Sequence, residues 1–284
     1  MASTNIPYNK ARFLGTHNSY CNDSPASIAT NKFKKMVLNQ HKSIIEQLDA
    51  GIRVLDIEVH KHPFLNDLIV THGPPDLGLL TGYTKFADIL NVVKMWLEEH
   101  LQKSPDEYDK ILTFVINPQK NVQNKKWYND TVLKYFQNVG LDQYVYSYNE
   151  QRKDEDHWPL LKDMLDVGRP LMVFGLKGHV DFVNYQNYYR NDTDKILPTW
   201  DAKTIEDLDP SKLVLYPKPG NKIFLMYALC SLRDIDAYPY LFGGNPIQAK
   251  QVNRLKVIEP LVDACNEVLK EYNQMVNWIW IDFF

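Results

Sequence analysis

GIRVLDIEVH, residues 51–60, is an apolar run interrupted by acids at alternate positions. Successive side chains of a strand point to opposite faces, so Asp56 and Glu58 share one face while Leu55, Ile57 and Val59 share the other. Upstream, FLGTHNSY (residues 13–20) places His17 and Asn18 after another short apolar run, and downstream LIVTHG (residues 68–73) does the same for His72. Polar residues gathered at the carboxyl ends of successive strands are the arrangement of an α/β barrel. Two histidines and two alternate acids at three such ends point to phosphate-ester chemistry, which uses a proton acceptor, a proton donor and a divalent cation.

Short apolar runs continue to alternate with stretches of helical period along the chain, the pattern of a parallel sheet wrapped by helices. The expected strands are Ala11–Leu14, Arg53–Val59, Leu68–Thr71, Lys110–Ile116, Pro170–Leu176, Lys212–Tyr216, Ile223–Leu229 and Trp278–Phe283. Eight strands match a single (β/α)8 TIM-like barrel over residues 1–284, distorted or incomplete where loops intrude. Phe86, Ile89, Leu90, Val93, Trp96 and Leu97 fall on one helical face, with Thr84 as cap and Pro105 beyond the end. A second helix is expected to begin at Pro260, with Leu261, Cys265, Val268, Leu269 and Tyr272 on one stripe. Shorter helices are expected over Ser43–Ala50, Lys126–Asn138 and Leu160–Leu165, the first ending at Gly51 and the second at Gly140. Residues 180–210 and 237–248 read as long loops.

With 284 residues and 44% hydrophobic content the chain can bury a large core, and one barrel of about 250 residues uses nearly all of it. A net charge of -3 supplies no basic field for nucleic acid, and there is no polybasic run to tether the chain to a membrane. The three cysteines lack the spacing of a disulfide framework or a thiolate metal cluster. Neither the apolar core of a signal peptide nor the ~18 apolar residues of a membrane span is present. The expectation is a cytoplasmic protein with peripheral membrane contact, secretion staying open, and with no bearing on oligomeric state.

Two like charges on one strand face are costly, and a bound cation is their most direct relief. Oxygen-only ligands favour calcium or magnesium, and Asn18 adds a carbonyl oxygen. The alternative is that Asp56 or Glu58 forms a structural ion pair with Arg53 or a lysine. His17 and His72, at strand-to-loop transitions, either bond the backbone of turns or act as an acid–base pair; near neutral pH one imidazole can accept a proton while another donates one. His60 and His62 either join the metal site or sit at a solvent-facing strand end. His41, His100 and His157 are expected on the surface. Lys177, after the fifth strand, is expected to supply a cation for a substrate phosphate, as is Arg53. There is no GxSxG elbow and no P-loop.

THNSY, GIRVLDIEVH and THG in this order and spacing resemble the X domain of phosphatidylinositol-specific phospholipases C. The segments ILTFVIN, RPLMVFGLKG and IWIDFF are similar to later strands of the same barrel. The resemblance implies a distorted TIM-like barrel in which the inositol 2-hydroxyl attacks the adjacent phosphorus, expelling diacylglycerol and forming a cyclic phosphodiester. It gives His17 and His72 the proton transfers and the stabilisation of the phosphorane. Metal-independent bacterial members carry arginine two residues after the aspartate, where this chain has Glu58. Asn18, Asp56 and Glu58 instead match the metal-dependent branch, with calcium the expected ion. The acids stand in the order Asp then Glu rather than the reverse, and Asn117 occupies the end of the fourth strand where that branch has glutamate. The implied substrate is unphosphorylated phosphatidylinositol or a related phosphodiester at a membrane surface. Tyr185, Tyr188, Tyr189 and Trp200, or Leu241 and Phe242, either approach that surface as loop residues or pack the loops on the barrel by tyrosine stacking. Two other readings compete. One is a glycerophosphodiester or sphingolipid phosphodiesterase, whose first motif has His-Arg where this chain has His-Asn. The other is a catalytically weak barrel that binds a lipid headgroup.

Overall fold

The structure, a computed structural model, describes residues 4–22, 38–72, 83–103, 108–118, 125–146, 158–175, 188–190, 210, 223–228, 250 and 253–282. One sheet contains β1 (Phe13–Thr16), β2 (Val54–Lys61), β3 (Leu68–Val70), β4 (Thr84–Lys85), β5 (Leu112–Pro118), β6 (Leu171–Gly175), β7 (Tyr188–Arg190), β8 (Ile223–Ala228) and β9 (Val276–Ile281). The helices are α1 (Ile44–Asp49), α2 (Phe86–Lys103), α3 (Lys125–Val139), α4 (Leu161–Asp166) and α5 (Leu255–Lys270).

Parallel pairing runs β6-β5-β2-β1-β9-β8-β7, which is chain order read cyclically. No β6–β7 pairing occurs among the described residues, so the sheet is open there and the expected closed barrel is not formed by these strands. The sheet is nevertheless strongly curled. Strands β6 and β9 are four positions apart, about 19 Å in a flat sheet, yet the rings of Phe174 and Trp278 meet at 5.0 Å. The face they share is therefore the inside of the curl.

Alternation distributes the core between two layers. Phe13, Val54, Val115, Met172, Leu225, Trp278 and Trp280 fill the inner face, and the stacked rings of Tyr8 and Trp158, 5.7 Å apart, close its amino-terminal end. Leu55, Ile57, Val59, Phe114 and Val173 face outward onto Leu48 of α1, Leu90 and Val93 of α2, Val132 and Phe136 of α3 and Leu261 of α5. Gly15 permits close approach on the inner face, because a Cβ there would sit 2.8 Å from Trp280 and from Val54.

Local signals were obeyed where they were strong. Ser43 and Glu46 form a reciprocal capping box on α1, and Gly51 and Gly140 adopt positive φ after α1 and α3. Three expectations are corrected. The strand expected over Leu68–Thr71 is antiparallel to β2, with Val59 opposite Val70, and is not a barrel strand; the short stretch between β2 and β3 cannot hold the dozen or more residues of a parallel crossover. The helix expected to begin at Pro260 begins at Leu255, because the apolar stripe extends back to buried Ile258 while Pro260 is exposed and leaves its missing bond on the solvent side. Strand β7 lies inside residues 180–210, read from sequence as a loop. The strand expected over Lys212–Tyr216 and the loop over 237–248 lie outside the described residues. Cys21 and Cys265 are free thiols, as the cysteine spacing implied, and burial pushes Cys265 up to about 12. No described helix is long and apolar enough to cross a membrane.

Candidate active site

His17 follows the last residue of β1 at the carboxyl end of the sheet, and its Nδ1 lies 3.1 Å from Oδ1 of Asp282, the residue that follows β9. Its ring stacks on Trp280 with centroids 6.3 Å apart. Its Nε2 lies 3.2 Å from Nδ2 of Asn18, which also donates to Oδ1 of Asn39 at 3.3 Å. Asn39 Nδ2 in turn donates to the Asp282 carboxylate at 3.4 Å. Four side chains thus form a closed ring, and the ring assigns one tautomer: Nδ1–H donates to Asp282 while the Nε2 lone pair accepts. Gln40 holds the backbone beneath, donating to the carbonyls of His17 at 2.7 Å and Ile281 at 3.2 Å.

On β2, Asp56 and Glu58 share the inner face with Val54, as the alternation required. Buried Asp56 accepts at Oδ2 from the backbone N–H of Asn18 at 3.2 Å, in a turn where Asn18 has a φ of 46°. The Tyr20 hydroxyl donates to the carbonyl of Thr71 at 2.9 Å and lies 3.4 Å from both Asn18 Oδ1 and Glu58 Oε2. An amide oxygen and a carboxylate oxygen therefore converge on one point. Burial, and then the charges of Cys21, Glu58 and Asp56, push the Tyr20 phenol well above its ordinary value, so it stays a neutral donor.

His72 reaches this region by a route the sequence did not reveal. Strand β2 runs outward past Glu58, β3 runs back, and the pairing of Val59 with Val70 returns the chain to the level of Glu58 as it reaches Thr71 and His72. Two donors fix the carbonyl just before His72: the Tyr20 hydroxyl and, at 3.2 Å, Nε2 of His60. His60 also lies 3.5 Å from Glu58 Oε1. His60 and His62 are buried rather than solvent-facing, since β3 covers this end of β2.

Asn117 stands opposite Glu58 in the β2–β5 register. Lys177 lies outside the described residues. Arg53 is not brought to the site. It precedes β2 at the amino end and, by the same alternation, falls on the helix-covered face away from Asp56 and Glu58. Its guanidinium donates to the carbonyls of Leu48, Ile52 and Asp109 at 2.6, 2.8 and 2.6 Å, pairs with Asp109 and lies over the ring of Trp96. It is a structural cation, so the expectation of substrate contact is corrected, and it is not the ion-pair partner of the β2 acids either.

Among the described residues no three His, Cys, Asp or Glu side chains are clustered to hold a metal ion. The oxygen donors are the two β2 acids and the amide of Asn18, a set suited to a hard cation that completes its shell with water or substrate oxygen. Sequence reasoning passed over Asp282, Asn39 and Tyr20, and weighed His60 only as a metal ligand or a solvent-facing residue, not as a donor to the Thr71 carbonyl. Asp282 alone carried a signal: in WIWID it continues the inward alternation of Trp278 and Trp280 to the strand's carboxyl end, as Asp56 does on β2.

The family model described as PI-PLC X 1 matches residues 5–284. A PI-PLC X domain-containing protein of Arabidopsis thaliana is 28% identical over 169 residues, covering 60% of this chain and 36% of that protein, so the chain spans about a third of that relative's length. PI-PLC X domain-containing protein 1 of Arthroderma benhamiae is 26% identical over 282 residues, 97% of this chain and 81% of that protein. In fold, the chain is similar to the phosphatidylinositol-specific phospholipase C of Listeria monocytogenes, with a TM-score of 0.58 at 14% identity, covering 99% and 91% of the two chains. A double mutant of the Staphylococcus aureus enzyme gives a TM-score of 0.57 at 11% identity, covering 99% and 88%. With a family match across nearly its whole length, on an α/β fold resembling the bacterial enzymes, this chain belongs to the PI-PLC X domain family.

Proposed function

We propose that this chain is a phosphoric diester hydrolase that cleaves phosphatidylinositol-like lipids through a cyclic phosphodiester. The observation that carries the reading is the His17–Asp282 pair. A carboxylate on Nδ1–H leaves Nε2 as a proton acceptor and stabilises the imidazolium once the proton arrives. The inositol 2-hydroxyl displaces the Asn18 amide from Nε2, transfers its proton to His17, and its oxygen attacks phosphorus. The bond from phosphorus to the diacylglycerol oxygen breaks, and His72, entering protonated, gives that oxygen its proton. The Tyr20 and His60 bonds to Thr71 position His72 for this transfer.

Asn18, Asp56, Glu58 and Asn117 would hold a divalent cation, calcium or magnesium, which when bound supplies positive charge against the phosphorane. Lys177 is the proposed cation for the substrate phosphate. The substrate is presented by a lipid surface, so contact with the membrane is peripheral. The test is release of cyclic inositol phosphate from phosphatidylinositol vesicles by the parent chain and by His17→Ala and His72→Ala, each with and without chelator. The reading requires loss of turnover in both variants and suppression by chelator; full activity in either variant removes the acid–base pair, and chelator resistance removes the cation.

A further inference from the structure

The β2–β3 hairpin carries a feature that the chemistry does not use. Its tip, His62–Asp67, exposes Phe64 by 80% and Leu65 by 55%, whereas the other exposed large apolar side chains of the described residues come singly along the chain. The tip lies on the active-site end. At about 3.3 Å per residue, β2 carries Lys61 roughly 20 Å along the strand beyond Leu55, the level at which β1 ends.

The tip is rigidly built. The backbone N–H of His62 donates to the Asp67 carbonyl at 2.9 Å, and those of Phe64 and Leu65 both donate to Nδ1 of buried His62 at 3.1 Å. Pro63 has no N–H. Helix α3 braces the arm: the Tyr135 hydroxyl bonds the Asp67 carboxylate, Tyr128 donates to the Val59 carbonyl at 3.3 Å, and Trp127 underlies the Lys61 ammonium. The backbone amides of the two exposed apolar residues therefore need no water.

We propose that Phe64 and Leu65 form a lipid-inserting tip that seats the active-site end on a membrane surface. The inference rests on the reading that the substrate headgroup is presented by such a surface. Two observations favour lipid over a protein partner. Two apolar side chains are far short of the ~800 Å² per partner of a stable protein interface, but adjacent apolar side chains partition into a bilayer interface by their area alone. Internally satisfied backbone amides are what a segment entering an apolar phase requires. Lys61, at the base of the tip, suits the anionic phosphate level above it.

The test is sedimentation of the full chain with phosphatidylcholine vesicles containing phosphatidylinositol, comparing the parent with the double variant Phe64→Ser, Leu65→Ser. Binding is expected to weaken about tenfold or more, at an unchanged melting temperature because both residues are exposed. A Phe64→Trp variant is expected to gain a blue-shifted emission on addition of vesicles, relative to the parent. Parent protein that does not bind, equal binding by the double variant, or a Phe64→Trp signal that follows protein concentration instead of vesicles overturns the proposal. Turnover of a monomeric short-chain phosphatidylinositol, measured on the same samples, reports the site reading separately: its absence alongside tip-dependent binding would remove the enzyme reading and leave the lipid tip.

Discussion

Asp282 holds Nδ1 of His17 at 3.1 Å across a separation of 265 residues, joining the first strand of the sheet to the last. That contact gives a histidine in a turn one defined tautomer, with the proton on Nδ1.

Asparagine at 282 would offer an amide N–H to Nδ1 and so impose the opposite tautomer, with the proton on Nε2. Turnover of Asp282→Asn is expected to fall about 10³- to 10⁴-fold with KM little changed. Steady-state kinetics on phosphatidylinositol vesicles check this, and a loss confined to KM would contradict the positioning role.

Glu58 places Oε2 3.4 Å from the hydroxyl that also lies 3.4 Å from Asn18 Oδ1. Glu58→Gln keeps the shape and removes one charge from the proposed cation site. The calcium concentration for half-maximal turnover is expected to rise about tenfold or more, with activity recovered at high calcium. Titration of activity against free calcium measures it.

Arg53 separates structure from chemistry. Arg53→Met would leave the carbonyls of Leu48, Ile52 and Asp109 without their donor, an expected loss of about 2–4 kcal/mol in urea unfolding. The kinetic constants of the protein that remains folded are expected to stay within about twofold of the parent.

These cases show what the sequence could and could not carry. Asp56 and Glu58 on one face, and His17 with Asn18 beside them, were legible because strand alternation and strand-end position are local rules. Arg53 obeys the same alternation, which sends it to the helix-covered face, but a cation near two acids invited a pairing across faces. His72 was placed at a strand end for an incomplete reason: it does follow a short strand, yet that strand returns antiparallel, and only pairing brings it beside the level of Glu58. Asp282, Asn39 and Tyr20 join the candidate site through long-range contacts, which no local period encodes. The start of α5 was hidden because a proline reads as a boundary, although on the exposed side its missing bond is readily tolerated.

His100 gives the fold a pH dependence. Burial first, and then the Arg53 charge, hold it below its ordinary value of 6.5, with its ring stacked on Trp96 at 4.2 Å. Below that value the unfolded chain takes up a proton that the folded chain resists. The stability present above about 6.5 is therefore lost as pH falls through the depressed folded value. In His100→Phe, which keeps the stack, the acid side of the stability profile is expected to flatten by that share, as measured by urea midpoints from pH 7 to pH 5.

The central claim is a cyclising phosphodiesterase whose base is His17 and whose acid is His72. Phosphorus NMR of the products from phosphatidylinositol vesicles tests it most directly. The account predicts the resonance of inositol 1,2-cyclic phosphate as the first product of the parent chain, absent in His17→Ala and His72→Ala. A first product that is an acyclic glycerophosphate or choline phosphate when mixed substrates are offered, or a cyclic product undiminished in either histidine variant, would contradict it.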